Sequence, residues 1–235
     1  MTGLDQELKE RQTARRVYLI RHGSTEMNSE DLIRGQCNVP LSAEGKEEVA
    51  RLAALLCESN LRFLVSSDLD RAVETARAVA ASTGAVVVKT ALLRPWDVGS
   101  FTGRPAEEVT PRLFELARDA PSKMTPGGES FNSFKKRAFE GLRTALFASD
   151  APLGIVSHHR VERLLAAWFA TGCPSDCELD LDLMFTRGEP PAHAEMLEVP
   201  LERLGAAARS LAGESVIGPS SLDGSLQEAG ERRYA

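Results

Sequence analysis

Three of the four histidines in this chain of 235 residues stand where short apolar runs end. Arg21-His22-Gly23 follows Arg16-Val17-Tyr18-Leu19-Ile20. Ser157-His158-His159 follows Leu153-Gly154-Ile155-Val156. Between them, Ser66-Ser67-Asp68 follows Phe63-Leu64-Val65, with Arg71 one helical turn further on. Arginine offers a planar, permanently charged fork that matches phosphate oxygens. A neutral imidazole is a nucleophile near pH 7 and can carry a phosphoryl group. Neighbouring cations lower the pKa of that imidazole and neutralise charge on the group in transit. Gly23 lets the chain turn tightly and lets a ligand approach the backbone. Phosphoryl transfer through a phosphohistidine needs these parts and no metal or other cofactor.

The elements that must position these residues alternate along the chain. Strand-like runs at 16–20, 63–65, 85–88 and 153–156 are separated by segments with apolar residues at helical spacing. Ser42 is a cap candidate for a helix carrying Val49, Leu52, Ala53 and Leu56, and Asp68 for the next. A late strand is expected within 194–199. The pattern predicts an α/β fold: a mostly parallel sheet flanked by helices on both faces. Ligands of such sheets bind at the carboxyl ends of the strands, where the three motifs fall. Loops that open into helices there also present free N–H groups to an anion. Five prolines, from Pro95 to Pro126, break up the stretch 92–129, with helical pieces around 104–118. This stretch reads as a lid folded over one end of the sheet. Residues 1–15 read as a polar leader, 16–200 as the domain, and 201–235 as a largely mobile tail with a short helix around 201–211.

The segment Val17-Tyr18-Leu19-Ile20-Arg21-His22-Gly23-Ser24-Thr25-Glu26-Met27-Asn28 resembles the signature of the histidine phosphatase superfamily, also called phosphoglycerate-mutase-like. The resemblance continues in family order. It takes in Arg34-Gly35 with Asn38-Val39-Pro40-Leu41-Ser42 and Gly45, then Ser66 to Ala76, Pro126 to Phe131, and Val156-Ser157-His158. It implies a phosphoglycerate-mutase-like fold with His22 as nucleophile. Arg21, Arg71 and His158 would form the phosphate pocket, with Asn28 beside it and Arg34 as a further substrate contact. His159 stands where the family often has glycine and reads as a neighbour.

The acid departs from the family pattern. A glutamate is usual four residues before a glycine, but Leu93-Arg94-Pro95-Trp96-Asp97-Val98-Gly99 places Pro95 there. Proline moves no proton. Alternation along an extended segment would point positions 95 and 97 the same way, so Asp97 is the expected acid, with Glu129 in reserve. The short interval from Asp97 to His158 resembles the compact phosphatases and leaves no room for the long insertion of the larger mutases. The expected reaction is therefore hydrolysis of a small phosphomonoester. A mutase-type phosphotransferase is the alternative, and a non-catalytic phosphate-binding protein that has lost its acid is the rival of another class. A metalloenzyme built on His22, His158, His159 and Asp97 finds no supporting ligand spacing.

Composition narrows the partners. A formal charge of -6 disfavours a sequence-independent nucleic-acid binder. No run approaches the roughly 18 apolar residues of a membrane helix. With 43% hydrophobic and 26% charged residues the chain has an ordinary globular balance. A polar start and four cysteines without a metal-binding pattern suit a cytoplasmic protein with reduced thiols; Cys173 and Cys177 read as unrelated. The expected partner is a small phosphate ester. A homodimer through an edge strand or the lid is compatible with the sequence, and nothing in it demands one. Trp96 reads as packing, and His193 receives no role.

Overall fold

A computed structural model describes residues 16–28, 31–148, 151–172, 179–185, 193, 194 and 196–199. The expected tail helix and the Cys173–Cys177 pair lie outside these residues. The core is a five-stranded sheet of β1 (Val17–Arg21), β2 (Phe63–Ser67), β3 (Val86–Thr90), β4 (Leu153–Ser157) and β5 (Met196–Val199), in the order β3-β2-β4-β1-β5. All neighbours are parallel except β5, which runs antiparallel to β1 at the edge.

The three central strands, β1, β2 and β4, are buried on both faces because both are covered. Val17, Leu19, Val65, Leu153 and Ile155 pack into one core, with α3 (Ala106–Asp119), α4 (Phe131–Ala148) and α5 (His159–Ala170). Tyr18, Ile20, Leu64 and Val156 point the other way, toward α1 (Ala43–Leu56) and α2 (Asp70–Thr83). A short α6 (Leu181–Phe185) leans on α3 and α5. Alternate residues of these central strands thus feed opposite cores, as a strand period of two requires.

Caps and close approaches set the loops. Ser42 caps α1 as expected, its hydroxyl accepting from Gly45 N–H at 3.0 Å. A Cβ on Gly45 would lie 2.1 Å from the Ser24 carbonyl oxygen, so a glycine lets α1 press directly on the loop after β1. Asp68 does not cap α2. Its carboxylate is held by both arms of Arg94, at 2.7 and 2.6 Å, and the cap falls to Leu69, which makes no side-chain cap bond. Asn38 serves the helix start in its place: its Oδ1 accepts from Asp70 N–H at 2.8 Å, and its amide donates to the Asp70 carboxylate at 3.0 Å. The stretch 92–129 opens inside one 3-10 turn, Ala91–Leu93, and holds a second, Gly99–Phe101, and α3, which lies over the carboxyl ends of the strands.

Candidate active site

Parallel register explains why two distant histidines meet. Arg21 pairs with Ser157 across β1 and β4, and Ser66 pairs with Val156 across β2 and β4. His22 and His158 are the next residues on adjacent strands, and neighbouring strands lie about 4.8 Å apart. Their rings sit 5.0 Å apart, tilted by 59°. His22 N–H extends the ladder to the Ser157 carbonyl at 3.2 Å.

Arg71 reaches the same point from the first turn of α2. Its Nε donates to His22 Nε2 at 3.3 Å, Nη1 to the Cys37 carbonyl at 2.7 Å and Nη2 to the Gly35 carbonyl at 3.3 Å. Thr75, one turn on, ties this helix to the nucleophile loop: its hydroxyl accepts from Gly23 N–H at 3.2 Å and donates to the Arg71 carbonyl at 2.8 Å.

These contacts fix the tautomer of His22. Its Nδ1 lies 2.7 Å from the Gly23 carbonyl, which can only accept, so Nδ1 carries the proton. The guanidinium at Nε2 can only donate, so Nε2 bears the lone pair. Burial, then the charge of Arg71, holds the imidazole well below its ordinary pKa. His158 is held low by burial and then Arg71. Its Nε2 lies 2.9 Å from Ser67 Oγ, while its buried Nδ1 has no partner among the described residues.

The cavity around these rings has a volume of about 350 Å³. Arg21, Arg34, Arg160, His159 and His193 also line it, with Thr110 and Leu113 of α3 on the far side. Burial and then Arg21 bring the Arg34 pKa down to about 10. For Arg71, burial and then Arg34 do the same, to about 10. Arginine stays charged at that value, so the site is cationic and its imidazoles neutral. Such a cavity attracts an anion and offers it an unprotonated nitrogen.

Of the residues singled out in the sequence, Arg21, His22, Arg34, Arg71 and His158 come together here. Asn28 closes a 3-10 turn, Glu26–Asn28, and its side chain is outside the described structure. Asp97 does not join them. Pro95, Trp96 and Val98 line the cavity; Asp97 and Glu129 do not. The chain bends after Asp97, with Val98 at φ -93°, ψ 4° and Gly99 at φ 53°, and the Asp97 carboxylate accepts from Gly99 N–H at 3.1 Å. Alternation fails because the segment turns instead of running extended. Glu129 pairs with Arg137 of α4 and accepts from Asp97 N–H at 2.9 Å. Trp96 is buried, stacked on Phe134 at 5.8 Å, as packing requires.

Four cavity residues were missed or left without a role. His193 accepts from, or donates to, the Arg21 side chain across 2.7 Å; since guanidinium has no acceptor, it accepts. Its signal lay in topology: an antiparallel last strand begins at the edge where parallel strands end. His159 and Arg160 open α5 directly after His158. Asp31, in the loop before Arg34, is the one carboxylate residue among those lining the cavity. Among the described residues, no three His, Cys, Asp or Glu side chains group to hold a metal ion, and no helix is long and apolar enough to cross a membrane.

A cationic cradle at the carboxyl edge of a mostly parallel sheet, built around a neutral imidazole, defines a class of phosphoryl-handling proteins. Residues 17–181 match the family model of the histidine phosphatase superfamily (branch 1), and the chain belongs to that superfamily. It is 27% identical over 171 residues to the "Probable phosphoglycerate mutase GpmB" of Serratia proteamaculans, covering 71% of this chain and 80% of that one. The solved structure of YhfR from Bacillus stearothermophilus superposes with a TM-score of 0.65 at 26% identity, over 78% of this chain and 89% of that one. A mycobacterial glucosyl-3-phosphoglycerate phosphatase, at 24% identity and TM-score 0.63 over 78% and 89% of the two chains, shares the fold.

Proposed function

We propose that this protein is a phosphatase that hydrolyses a small phosphomonoester through a phosphohistidine on His22. The observation that carries this reading is the state of one atom. Nε2 of His22 is unprotonated, faces the Arg71 guanidinium and sits 5.0 Å, ring to ring, from His158. In the first step Nε2 attacks phosphorus and the ester P–O bond breaks. Arg21, Arg34 and Arg71 spread the charge on the equatorial oxygens, and His158 donates to one of them from a ring nitrogen. The leaving oxygen needs a proton. We assign that proton to Asp31, the carboxylate residue among those lining the cavity: its protonated carboxyl gives it up to the leaving oxygen, and the resulting carboxylate takes a proton from water as water attacks phosphorus and the P–N bond breaks. The imidazole and the Asp31 carboxyl are regenerated and inorganic phosphate is released. The size of the cavity suits a compact ester.

Relatives named as phosphoglycerate mutases support a second reading, in which the phosphoryl group passes to another substrate instead of water. Pro95, at the position the family gives to its acid, supports a third, a phosphate-binding protein without turnover. Rapid quench of wild type with labelled p-nitrophenyl phosphate separates the three. The phosphatase forms acid-labile protein phosphate that decays to inorganic phosphate in water alone, and His22→Ala forms none. Label that decays only when an acceptor alcohol is added favours the mutase. Phosphate binding without label or turnover at any pH favours the binding protein.

A further inference from the structure

The cavity holds more positive charge than one phosphoryl group requires. Arg21 is engaged with His193, and Arg71 with His22 and two loop carbonyls. Arg34 lines the same cavity and makes no side-chain hydrogen bond among the described residues. Arg160 is different. It stands in the first turn of α5, two residues after His158, and lines the same cavity. It belongs to the wall shared with the lid. There Nη2 donates to Thr110 Oγ1 of α3 at 3.2 Å, and its Cζ lies 4.7 Å from the centre of the Phe185 ring. A hydroxyl and an aromatic face hold the guanidinium in place, and no carboxylate pairs with it among the described residues. A partly buried guanidinium fixed by neutral groups keeps its remaining N–H donors for an anion.

We infer that Arg160, oriented by Thr110 and Phe185, forms a second anion subsite, and that the substrate is a small phosphomonoester carrying another acidic group, either a carboxylate or a second phosphate. This rests on the phosphatase reading above. The phosphoryl group occupies the cradle of His22, Arg71 and His158, and the second anion reaches the lid-side wall. Arg160 would select substrate without touching the bond that breaks.

Matched esters test the subsite. Phosphoglycolate against phosphoethanol reads a carboxylate, and fructose bisphosphate against fructose monophosphate reads a second phosphate. Wild type is expected to favour the doubly anionic member of at least one pair by roughly ten- to hundred-fold in kcat/KM, since hydrogen bonds to charged groups contribute on that order. Which pair shows the preference identifies the acidic group. Arg160→Met should shrink that ratio below about threefold, chiefly through KM, and Arg160→Lys should restore part of it. Equal hydrolysis of both members by wild type in both pairs overturns the subsite while leaving the phosphatase intact. So does an Arg160→Met variant that loses both members of a pair in equal proportion. If wild type turns over no ester, the phosphatase reading fails. Calorimetric titration of phosphoglycolate against phosphoethanol then still decides the subsite: equal affinities sink it, and a preference removed by Arg160→Met sustains it.

Discussion

The two walls of the cavity treat charge in opposite ways. At the strand ends, Arg71 is satisfied by carbonyl oxygens and an imidazole, and no carboxylate among the described residues pairs with it. Across the cavity, the segment from Ala91 to Gly99 is held by two arginines with carboxylate partners, its own Arg94 and Arg137 of α4. Arg94 is forked onto Asp68. Arg137 holds Glu129 and donates to the carbonyls of Ala91, Leu92, Arg94 and Pro95. The second wall is an internally neutralised brace. The first is left positive, and an external anion is what would complete it. Residue type alone would not separate an arginine that binds ligand from one that builds structure; its partners do.

Replacing one arginine from each wall gives the largest expected contrast. Arg71→Met should lower kcat/KM for p-nitrophenyl phosphate by roughly 10³-fold, as loss of a preorganised charge at the transferring group does. It should leave the melting temperature unchanged or raised, because a desolvated cation without a counter-ion is removed. Arg137→Met should do the reverse. It strands Glu129 and frees four carbonyls, which costs about 3 kcal/mol or more of stability. Its effect on kcat/KM, measured well below its melting temperature, should be the smaller one. Denaturant melts beside steady-state kinetics read both. If Arg71→Met unfolds the protein as readily as Arg137→Met, the contrast between the walls collapses.

A buried carboxyl behind the cationic wall sharpens the comparison through pH. Glu162, in the first turns of α5, is buried with neither oxygen hydrogen-bonded among the described residues. Burial raises its pKa from 4.5 to about 8, against the opposing charge of Arg21. The folded protein therefore keeps a proton that the unfolded chain releases. That contribution is full below pH 4.5 and is lost as pH rises through about 8. His22 and His158 are depressed instead, so their contribution is present above pH 6.5 and lost as pH falls. Wild type should be most stable between the two limbs. Glu162→Gln should match it at pH 5 and exceed it at pH 9, by an amount on the order of a few kcal/mol. Parallel stability curves for the two proteins would show that Glu162 is not buried and neutral in solution.

Much of the first wall could be read in the sequence, because local signals and topology agree there. Apolar runs name β1, β2 and β4, and parallel pairing carries the next residue of each to one edge. His22, Arg71 and His158 therefore converge with no tertiary detail supplied. The second wall was far less legible. Arg137 is one basic residue among several on α4, and nothing in its spacing announces four carbonyl partners. Asp68 looks like a helix cap until Arg94 takes its carboxylate. His193 could be placed only once β5 proved antiparallel. The acid fell between these cases: its position was inferred from alternation, and a turn closed by Asp97's own side chain defeats that inference.

That displaced acid supplies the finest test of the difference between the walls. If the carboxylates of the brace are structural, Asp97→Asn should lose the cap on Gly99 N–H only in part, since an amide oxygen still accepts. Its kcat/KM should stay within about threefold of wild type. Asp31→Asn should lower kcat by about 10- to 100-fold on an alkyl phosphate, whose leaving oxygen needs a proton. The loss should be much less on p-nitrophenyl phosphate, whose leaving group departs as an anion. Dependence on the leaving group isolates proton donation from any general disturbance of the loop that carries Asp31. The opposite result, with Asp97→Asn sensitive to the leaving group and Asp31→Asn indifferent, would mean that the segment after Pro95 turns its carboxylate into the cavity when substrate is bound. The brace would then belong to the chemistry as fully as the strand ends do.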